Sequence, residues 1–261
     1  MNDAYLKGKH AIVTGGGRGI GAAIAEELAR LGANLTLMAR GLDVVARHSR
    51  DIASRYGVRT AAVECDVSDE ASVKKAFSQA REQLGEAYIL VNNAGQAEAA
   101  RFQEMKGELW DRMIAVNLTG TYLCTQQVIP AMLAAKSGRI INIASTAGLK
   151  GYSTISAYCA SKHGVIGLTR ALAAELVKTP ITINAVCPGY TDTDMSAAGV
   201  KKLMASGKSE EEARYLITRT IPRGTLITPQ EVANTVAWLC SPGASAITGQ
   251  SIAVAAGEVM Q

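Results

Sequence analysis

A serine, a tyrosine and a lysine in the middle of the chain have the types and the spacing that a proton-transfer site needs. Tyr158 and Lys162 lie four residues apart, and in a helix this spacing places both side chains on one face. A free tyrosine has a pKa of ~10 and is a poor acid or base at neutral pH, but a neighbouring ammonium favours loss of its proton. Ser145 directly follows the apolar run 138–144, which predicts a buried strand of a parallel sheet. Because such sheets bind ligands beyond the carboxyl ends of their strands, we expect Ser145 to face a ligand.

A glycine-rich loop near the amino terminus makes that expectation more specific, since a tyrosine and a lysine occur together on many exposed helices. A strand is predicted at 10–14 and an alanine-rich helix at 22–31, with Gly-Gly-Gly-Arg-Gly-Ile-Gly between them. Glycines allow the backbone to turn tightly and approach a pyrophosphate, whose charge is stabilised by the amides at the helix start. A tight turn without a ligand is the alternative interpretation. The candidate dinucleotide-binding residues of this loop are Gly15, Gly17, Arg18, Gly19, Ile20 and Gly21.

The end of the second predicted strand, at 34–39, indicates which dinucleotide is bound. About 20 residues past the glycines, a carboxylate would accept the ribose hydroxyl of NAD. This chain has Ala39 and Arg40 there, and no carboxylate before Asp43. Arg40 and Arg18 instead offer guanidinium donors that suit a 2′-phosphate. These residues favour NADP(H) and leave NAD(H) open. If both arginines are ordinary solvated surface charges, they carry no such preference.

Strand and helix signals alternate through all 261 residues without a linker or a repeat. Further strands are predicted at 59–65, 88–91, 181–187 and 250–254, and Thr-Pro-Gln-Glu at 228–231 predicts a capped helix start. The pattern predicts an α/β fold, a single Rossmann domain over 1–261 whose doubly wound, seven-stranded parallel sheet is flanked by helices. Asp66 follows the third strand, where a carboxylate could meet the adenine amino group. The turn-prone run 92–95 is compatible with a simple strand exit.

Taken together, these residues resemble the short-chain dehydrogenases/reductases, along essentially the whole chain. No single motif is specific, but the combination is. It consists of residues 14–21, Asp66, residues 92–95, Asn117, Ser145, Tyr158 with Lys162, and Pro188 and Gly189 followed by Thr193. The resemblance implies a catalytic tetrad of Asn117, Ser145, Tyr158 and Lys162. It also implies cofactor contacts beyond the glycine loop, at Arg40, Asp66, Val67, Asn93, Ala94, Gly95, Tyr158, Lys162, Pro188, Gly189 and Thr193.

The resemblance gives each member of the tetrad a role. Tyr158 would donate a proton to a carbonyl oxygen as hydride arrives from the nicotinamide, and Ser145 would hydrogen-bond the same oxygen. Lys162 would lower the tyrosine pKa and hold the nicotinamide ribose. Asn117, in a helix predicted around 110–127, would position a water molecule in a proton relay. Nothing in the sequence itself distinguishes Asn117 from other helical asparagines.

The composition limits the remaining classes of function. The formal net charge is +4 and the basic residues are scattered among acids, so nucleic-acid binding is not indicated. The polar opening 1–9 has no signal core and no apolar run is long enough to span a bilayer, so we expect a cytoplasmic protein without membrane contact. The five cysteines and three histidines show no metal-ligand spacing, and the odd cysteine count argues against a disulfide framework. We expect buried cysteines and no metal.

A stretch at about 193–228 interrupts the alternation and is predicted to be a lid over the substrate. Its slight basic excess suits an anionic handle but is equally typical of a solvated amphipathic helix. Within the family, the runs 148–152, 221–224 and 248–250 resemble 3-oxoacyl thioester reductases, 3-hydroxyacyl-CoA dehydrogenases and polyketide ketoreductases. Reductases of this type that act on carrier proteins often have an arginine where this chain has Ala174. Lys136, Arg139 and Lys178 form the alternative docking face, and an acyl-CoA substrate stays open.

We therefore predict an NADPH-dependent reductase that converts a ketone to a secondary alcohol, with a 3-oxoacyl thioester on CoA or a carrier protein as the substrate. A dehydrogenase of a free secondary alcohol, a cyclic ketone or a sugar is the alternative in the same reaction class. A third hypothesis is a non-catalytic nucleotide-sensing protein. Binding alone does not require a serine, a tyrosine and a lysine together, which speaks against it. The family resemblance also implies a homotetramer.

Overall fold

Seven strands pair side by side in one parallel sheet. In chain order they are β1 His10–Thr14, β2 Asn34–Ala39, β3 Thr60–Glu64, β4 Ile89–Asn92, β5 Gly138–Ile143, β6 Ile181–Pro188 and β7 Ser251–Val254. Their spatial order is β3-β2-β1-β4-β5-β6-β7, and every neighbouring pair is parallel. The strand order reverses between β1 and β4, so the carboxyl ends of these two strands border the crevice where such sheets bind ligands. The computed structural model describes residues 4–260, and residues 1–3 of the polar opening lie outside it.

Helices cover both faces of the sheet, which confirms the predicted doubly wound α/β fold. They are α1 Gly19–Arg30, α2 Leu42–Tyr56, α3 Glu70–Leu84, α4 Gly107–Ile114, α5 Gly120–Ala135, α6 Ser156–Glu175, α7 Asp194–Ala205, α8 Glu210–Thr218 and α9 Pro229–Leu239. On one face, Ile24 of α1 and Val236 of α9 pack with Val13 of β1. On the other, Phe77 of α3 packs with Ile12 of the same strand. Successive strand residues point to opposite faces, and each face of the sheet is buried because helices cover it.

The predicted strands are all present, with ends that differ by at most one residue from those observed. The first helix differs more, because it begins at Gly19 rather than at residue 22. The last glycines of the loop therefore already form the first helical turn. The capping box predicted at 228–231 is also present, where Thr228 accepts from the backbone N–H of Glu231.

The predicted lid consists of two short helices, α7 and α8, which pack against each other. Ser209 begins α8 with a capping box, in which its backbone N–H donates to Glu212 Oε2 at 2.8 Å. Lys202 of α7 donates to the backbone oxygen of Ala99 at 3.5 Å. The lid thus contacts the loop that follows β4, across the carboxyl edge of the sheet.

The basic docking face predicted from Lys136, Arg139 and Lys178 is wrong. Lys136 precedes β5 and Lys178 precedes β6, so both lie at the amino edge of the sheet. Arg139 is 6% exposed, and it donates to the backbone oxygens of Gly138 and Pro180. Ser145 follows the opposite end of β5, and a strand of this length separates the two edges by roughly 20 Å. A carrier bound at the amino edge would not face the predicted catalytic residues.

The structure also bears on the cysteines and on the apolar segments of the sequence. All five cysteines are buried and free, which agrees with their predicted packing as small apolar side chains. Within residues 4–260, no helix combines the length and the apolarity that crossing a membrane requires.

Candidate active site

The glycine loop turns closely against the end of β4, and it leaves no room for side chains. Gly15 has a φ of 65°, in the left-handed region that favours glycine. A Cβ at Gly21 would lie 2.2 Å from the backbone oxygen of Gly15 and 2.5 Å from Asn93 Nδ2. A Cβ at Gly17 would lie 2.9 Å from a side-chain carbon of Val44. The loop therefore has the tight backbone path that a pyrophosphate-binding turn needs.

The run after β4 is more than a strand exit, because it fastens the glycine loop. Asn93 Nδ2 donates to the backbone oxygens of Thr14 and Gly15, at 3.0 and 3.1 Å. In return, Thr14 Oγ1 accepts from the backbone N–H groups of Asn93 and Ala94, at 3.0 and 3.1 Å. Thr14 is absent from the predicted site residues. Only the pairing of β1 with β4 brings it beside Asn93, and that pairing is a property of the sheet topology.

Helix α1 starts without a side-chain cap, as do α2, α4, α5 and α6. Its N-cap residue Arg18 makes no side-chain capping bond, and its first turn holds no acidic residue. By contrast, Asp69 caps α3 and Thr228 caps α9. The first N–H groups of a helix lack partners within the helix and carry a partial positive charge. The open start of α1 beside the glycine loop therefore fits the phosphates of a dinucleotide.

The beginning of the lid lies against the same loop. A Cβ at Gly19 would lie 3.2 Å from Thr193 Cγ2, so Thr193 packs on the glycine loop, and the cofactor contact that the resemblance implies for Thr193 stays a prediction. Arg18 Nη1 lies 3.7 Å from Asp194 Oδ2, with both side chains largely exposed. An exposed pair of this kind contributes little to stability. Arg18 is accordingly available to an incoming phosphate.

Arg40, Asp66 and Val67, which are predicted to contact the adenosine end of a dinucleotide, follow the carboxyl ends of β2 and β3. Burial raises the pKa of Asp66, but hydrogen bonds from Ser68 and the nearby charge of Arg40 outweigh burial and hold the pKa below its ordinary value. The carboxylate thus stays ionised and can accept from an adenine amino group. Arg40 is exposed, and Val67 packs tightly against Gly120 at the start of α5.

Tyr158 and Lys162 share one face of α6, as their spacing predicts. Lys162 Nζ lies 5.7 Å from the centre of the Tyr158 ring, and it donates to the backbone oxygen of Ile143 at 2.8 Å. Ser145 lies close enough for a hydrogen bond with the Tyr158 phenol, and its Oγ accepts from the backbone N–H of Ala147 at 3.1 Å. The structure therefore brings these three predicted residues together at the carboxyl end of β5.

The predicted net acidification of Tyr158 by Lys162 is wrong. Burial raises the pKa of Tyr158, and the hydrogen bond with Ser145 offsets this rise only in part. Burial also lowers the pKa of Lys162 to about 8. Both shifts have the same cause, since removal from water disfavours the charged form of each group. At neutral pH the phenol is protonated and the lysine is still mostly charged.

Asn117 lies in a π-helical turn, Ala115–Thr119, that separates α4 from α5. Its Oδ1 accepts from the backbone N–H of Gln96 at 2.8 Å, and its Nδ2 donates to Gln96 O at 2.9 Å and to Ser161 Oγ at 3.0 Å. π-turns inside helices occur frequently at functional sites. These contacts join the loop after β4 to α6. The water-positioning role of Asn117 stays a prediction.

A chain of buried amide and hydroxyl groups supports the site from within the sheet. Asn92 Nδ2 donates to Thr125 Oγ1 at 3.0 Å and to Asn142 Oδ1 at 2.9 Å. Asn142 Nδ2 in turn donates to Thr169 Oγ1 at 2.9 Å. The chain connects α5, β4, β5 and α6, and buried polar groups need such partners. The sequence gives no local signal for it, because its members are far apart along the chain.

Pro188 ends β6 beside β7, and the backbone N–H of Gly189 donates to Val254 O at 3.0 Å.

Gly95, like Gly189, lies so close to other atoms of the site that an added side chain would force its neighbours to move. A Cβ there would lie 3.1 Å from Asn117 Oδ1 and 3.6 Å from Lys162 Nζ. The predicted catalytic and cofactor-binding residues therefore lie along one continuous edge, from the glycine loop to the end of β6.

The chain is similar to known proteins in both sequence and fold. The family model described as short chain dehydrogenase matches residues 9–203. The chain belongs to the short-chain dehydrogenase family. A crystal structure of a variant actinorhodin polyketide ketoreductase with NADPH superimposes on it with a TM-score of 0.91 and 38% sequence identity. The similarity covers 99% of this chain and 98% of that one.

Curated members of the short-chain dehydrogenase family are similar over nearly their full lengths. Granaticin polyketide synthase putative ketoacyl reductase 1 of Streptomyces violaceoruber is 42% identical, over 95% of this chain and 92% of that protein. The 3-oxoacyl-(acyl-carrier-protein) reductase FabG of Aquifex aeolicus is 39% identical, over 97% and 98%. D-beta-hydroxybutyrate dehydrogenase of Cupriavidus necator is 37% identical, over 94% and 95%.

Proposed function

We propose that this short-chain dehydrogenase reduces a ketone to a secondary alcohol with NADPH, and that its substrate is a 3-oxoacyl thioester on CoA or on a carrier protein. The observation that carries the proposal is the convergence of Ser145, Tyr158 and Lys162 beside the glycine loop. A protein that only senses a nucleotide needs the loop, but it does not need this group of proton-transfer residues.

The residues at the carboxyl edge fit a phosphorylated dinucleotide. The loop allows the backbone to approach the pyrophosphate closely, and the uncapped start of α1 supplies N–H donors. Arg18 and Arg40 supply positive charge, and position 40 holds no carboxylate that would repel a 2′-phosphate. Asp66, Asn93 and Thr193 would hold the adenine end, the loop and the phosphates. When bound, NADPH supplies the hydride that the ketone carbon accepts.

The side chains of the site donate the proton and stabilise the negative charges that form during the reduction. Tyr158 is protonated at neutral pH, so it can donate its hydroxyl proton to the ketone oxygen. Ser145 donates a hydrogen bond to the same oxygen, which stabilises the negative charge that develops there. Lys162 stabilises the phenolate that remains, since an opposite charge this close favours the ionised form. Asn117 keeps the loop after β4 fixed to α6 and thereby fixes the neighbouring edge of the pocket.

The proposed substrate class is supported by the activities for which the similar proteins are named. A putative ketoacyl reductase and a 3-oxoacyl-(acyl-carrier-protein) reductase are both similar to this chain over almost its whole length. The dehydrogenase of D-beta-hydroxybutyrate, a free hydroxy acid, favours a second candidate function, the oxidation of a free secondary alcohol. We propose residues 193–228 as the lid that distinguishes these substrates, and a homotetramer as the assembly. Light scattering tests the assembly.

The proposed function predicts loss of NADPH absorbance when purified protein is mixed with acetoacetyl-CoA. Parallel assays use a carrier-bound 3-oxoacyl substrate, free acetoacetate and simple cyclic ketones. Faster turnover of either thioester supports the proposal, whereas activity on free ketones alone supports the second candidate. Turnover of none of these substrates contradicts both.

Cofactor choice is tested in the same assay with Arg40→Ala. A charge-assisted hydrogen bond contributes about 1.5–3 kcal/mol, so loss of this contact should weaken NADPH binding by about tenfold or more and leave NADH binding unchanged. Arg50→Ala, which removes an exposed arginine farther along α2, is the control. Equal rates of the wild-type protein with NADPH and NADH would contradict the assignment of Arg40.

A further inference from the structure

Glu258 is a buried carboxylate outside the tetrad, in the segment that follows β7. Its side chain is 0% exposed. The Tyr152 hydroxyl donates to Glu258 Oε1 at 2.6 Å. Lys150 Nζ lies 3.5 Å from the same oxygen and donates to the backbone oxygen of Glu258 at 3.3 Å. Because a buried charge is costly unless it is paired and hydrogen-bonded, Lys150 and Tyr152 are what make this position tolerable.

These contacts lead directly to the catalytic serine. The Tyr152 hydroxyl also lies 2.8 Å from Thr146 Oγ1, and Thr146 follows Ser145 in the chain. Thr146 begins a short 3₁₀ turn that packs tightly on α6, where a Cβ at Gly148 would lie 2.7 Å from Lys162 O. Glu258, Tyr152 and Thr146 thus form a continuous polar connection from the carboxyl-terminal segment to Ser145.

The same carboxylate lies against the loop at the end of β6. A Cβ at Gly189 would lie 2.9 Å from Glu258 Oε2, so the carboxylate packs on the backbone of that loop. Glu258 Oε2 is buried and has no hydrogen-bond partner within residues 4–260. A buried acceptor without a partner destabilises a fold. A contribution to stability therefore does not account for a glutamate at position 258. Its side chain lies between the loops after β5 and β6, where it can position residues of the site.

We propose that Glu258 is a positioning residue that holds Ser145 in place through Tyr152 and Thr146. Ser145 must meet the substrate oxygen at the same time as Tyr158, and small misplacements of a catalytic group reduce the rate of the chemical step strongly. The inference rests on the proposed reductase function. It concerns only this chain's own residues, so it can also be tested without turnover.

The test compares Glu258→Gln, Tyr152→Phe and the double variant with the wild-type protein. Glu258→Gln keeps the shape of the side chain and removes its charge. Glu27→Gln is the matched control, because Glu27 is also a largely buried glutamate in an ion pair, with Arg30, at the far end of α1 from the glycine loop. One readout is kcat, calculated from the concentration of NADPH-binding sites that fluorescence titration gives. The other is amide hydrogen exchange of residues 146–150.

We expect each single variant to lower kcat by about tenfold, with faster exchange at 146–150 and unchanged NADPH affinity. We expect the double variant to lower kcat no further, because both substitutions break the same connection. The control should lose stability at most. Unchanged exchange in both single variants, or losses of kcat that multiply in the double variant, would overturn the inference. If the wild-type protein reduces no ketone, the proposed function fails, and the exchange data alone decide whether Glu258 positions the loop.

Discussion

The carboxyl edge of the sheet and the lid differ in how firmly the fold holds them. At the edge, Asn117 and Lys162 are 1% and 4% exposed. Asn117 accepts from the backbone N–H of Gln96 in the loop after β4, and Lys162 donates to the backbone oxygen of Ile143 at the end of β5. In the proposed lid, Tyr215 is 65% exposed, and its polar contacts to the edge include the exposed Lys202 and the weak pair of Asp194 with Arg18. Under the proposed function, the reaction takes place at the firmly held edge, and substrate choice depends on a segment that can change without disturbing the catalytic residues.

The largest effect should come from removing the proposed proton donor at the edge, Tyr158. Tyr158→Phe should lower kcat by about 10³-fold, since general acid catalysis by one group contributes typically 10²–10⁴. NADPH binding, followed by fluorescence titration, should stay close to that of the wild-type protein. Tyr56→Phe, at the end of α2, is the control. Near-normal turnover of the Tyr158 variant would refute the proton-donor role.

The edge also contains a charge that costs stability, and Lys162→Met should reveal it. Burial lowers the pKa of Lys162 from its ordinary 10.5 to about 8, so below pH 8 the folded protein holds an ammonium that water would solvate better. At 1.36 kcal/mol per pKa unit, the variant should be more stable by up to about 3 kcal/mol, less the hydrogen bond to Ile143.

The pH dependence of this stability difference has a defined sign. Between pH 8 and 10.5 the unfolded lysine binds a proton that the folded one has released, so the wild-type protein gains stability relative to the variant as the pH rises. Denaturant titrations without cofactor, below pH 8 and near pH 10, measure the two values. A variant that is less stable than the wild-type protein at neutral pH would show that Lys162 is not a source of strain. We expect the Lys162→Met variant to turn over more slowly than the wild-type protein, whichever of the two is more stable.

The glycine loop should tolerate no added methyl group where it meets β4. Gly21→Ala would place a Cβ 2.2 Å from Gly15 O, and overpacking of this kind costs typically about 1–3 kcal/mol. We expect a lower Tm and weaker NADPH binding. Gly107→Ala, at the start of α4, is the matched control because its Cβ would meet nothing within 4 Å. Equal Tm values for the two variants would mean that the loop is looser than the structure indicates.

The smallest effect should come from the lid. Lys202→Ala removes the contact with Ala99 and should raise the KM for an acyl thioester by roughly threefold, with kcat unchanged, because exposed polar contacts are worth only about 0.5–1.5 kcal/mol. Lys208→Ala, an exposed lysine between α7 and α8, should leave both constants unchanged. A large fall in kcat for the Lys202 variant would erase the distinction between edge and lid.

The sequence predicted those features that depend on local pattern. Strand ends, the glycine loop and the spacing of Tyr158 with Lys162 follow from alternation, turn chemistry and helical geometry, and the structure has them in place. The Asn93 clamp on the loop could not be predicted in the same way, because it depends on β1 lying beside β4. The connection from Glu258 to Ser145 joins residues more than 100 positions apart, and no periodicity marks it.

Two predictions failed for a shared physical reason. The pKa of Tyr158 depends on how deeply the phenol is buried, and burial is decided by packing rather than by its neighbours in the helix. Arg139 is predicted on a docking face, but its side chain is buried and donates to the backbone oxygen of Pro180, in the turn before β6. Charge in a sequence shows which interactions are available, and only tertiary structure shows whether water or protein surrounds the group.

A crystal structure of the Tyr158→Phe variant with NADPH and acetoacetyl-CoA would test the central claim most directly, because this variant should bind both molecules and react slowly. We predict the ketone oxygen within hydrogen-bond distance of Ser145 Oγ, the nicotinamide ribose at Lys162, and the 2′-phosphate beside Arg40. A ketone bound away from Ser145, or a dinucleotide lying outside the glycine loop, would contradict the account.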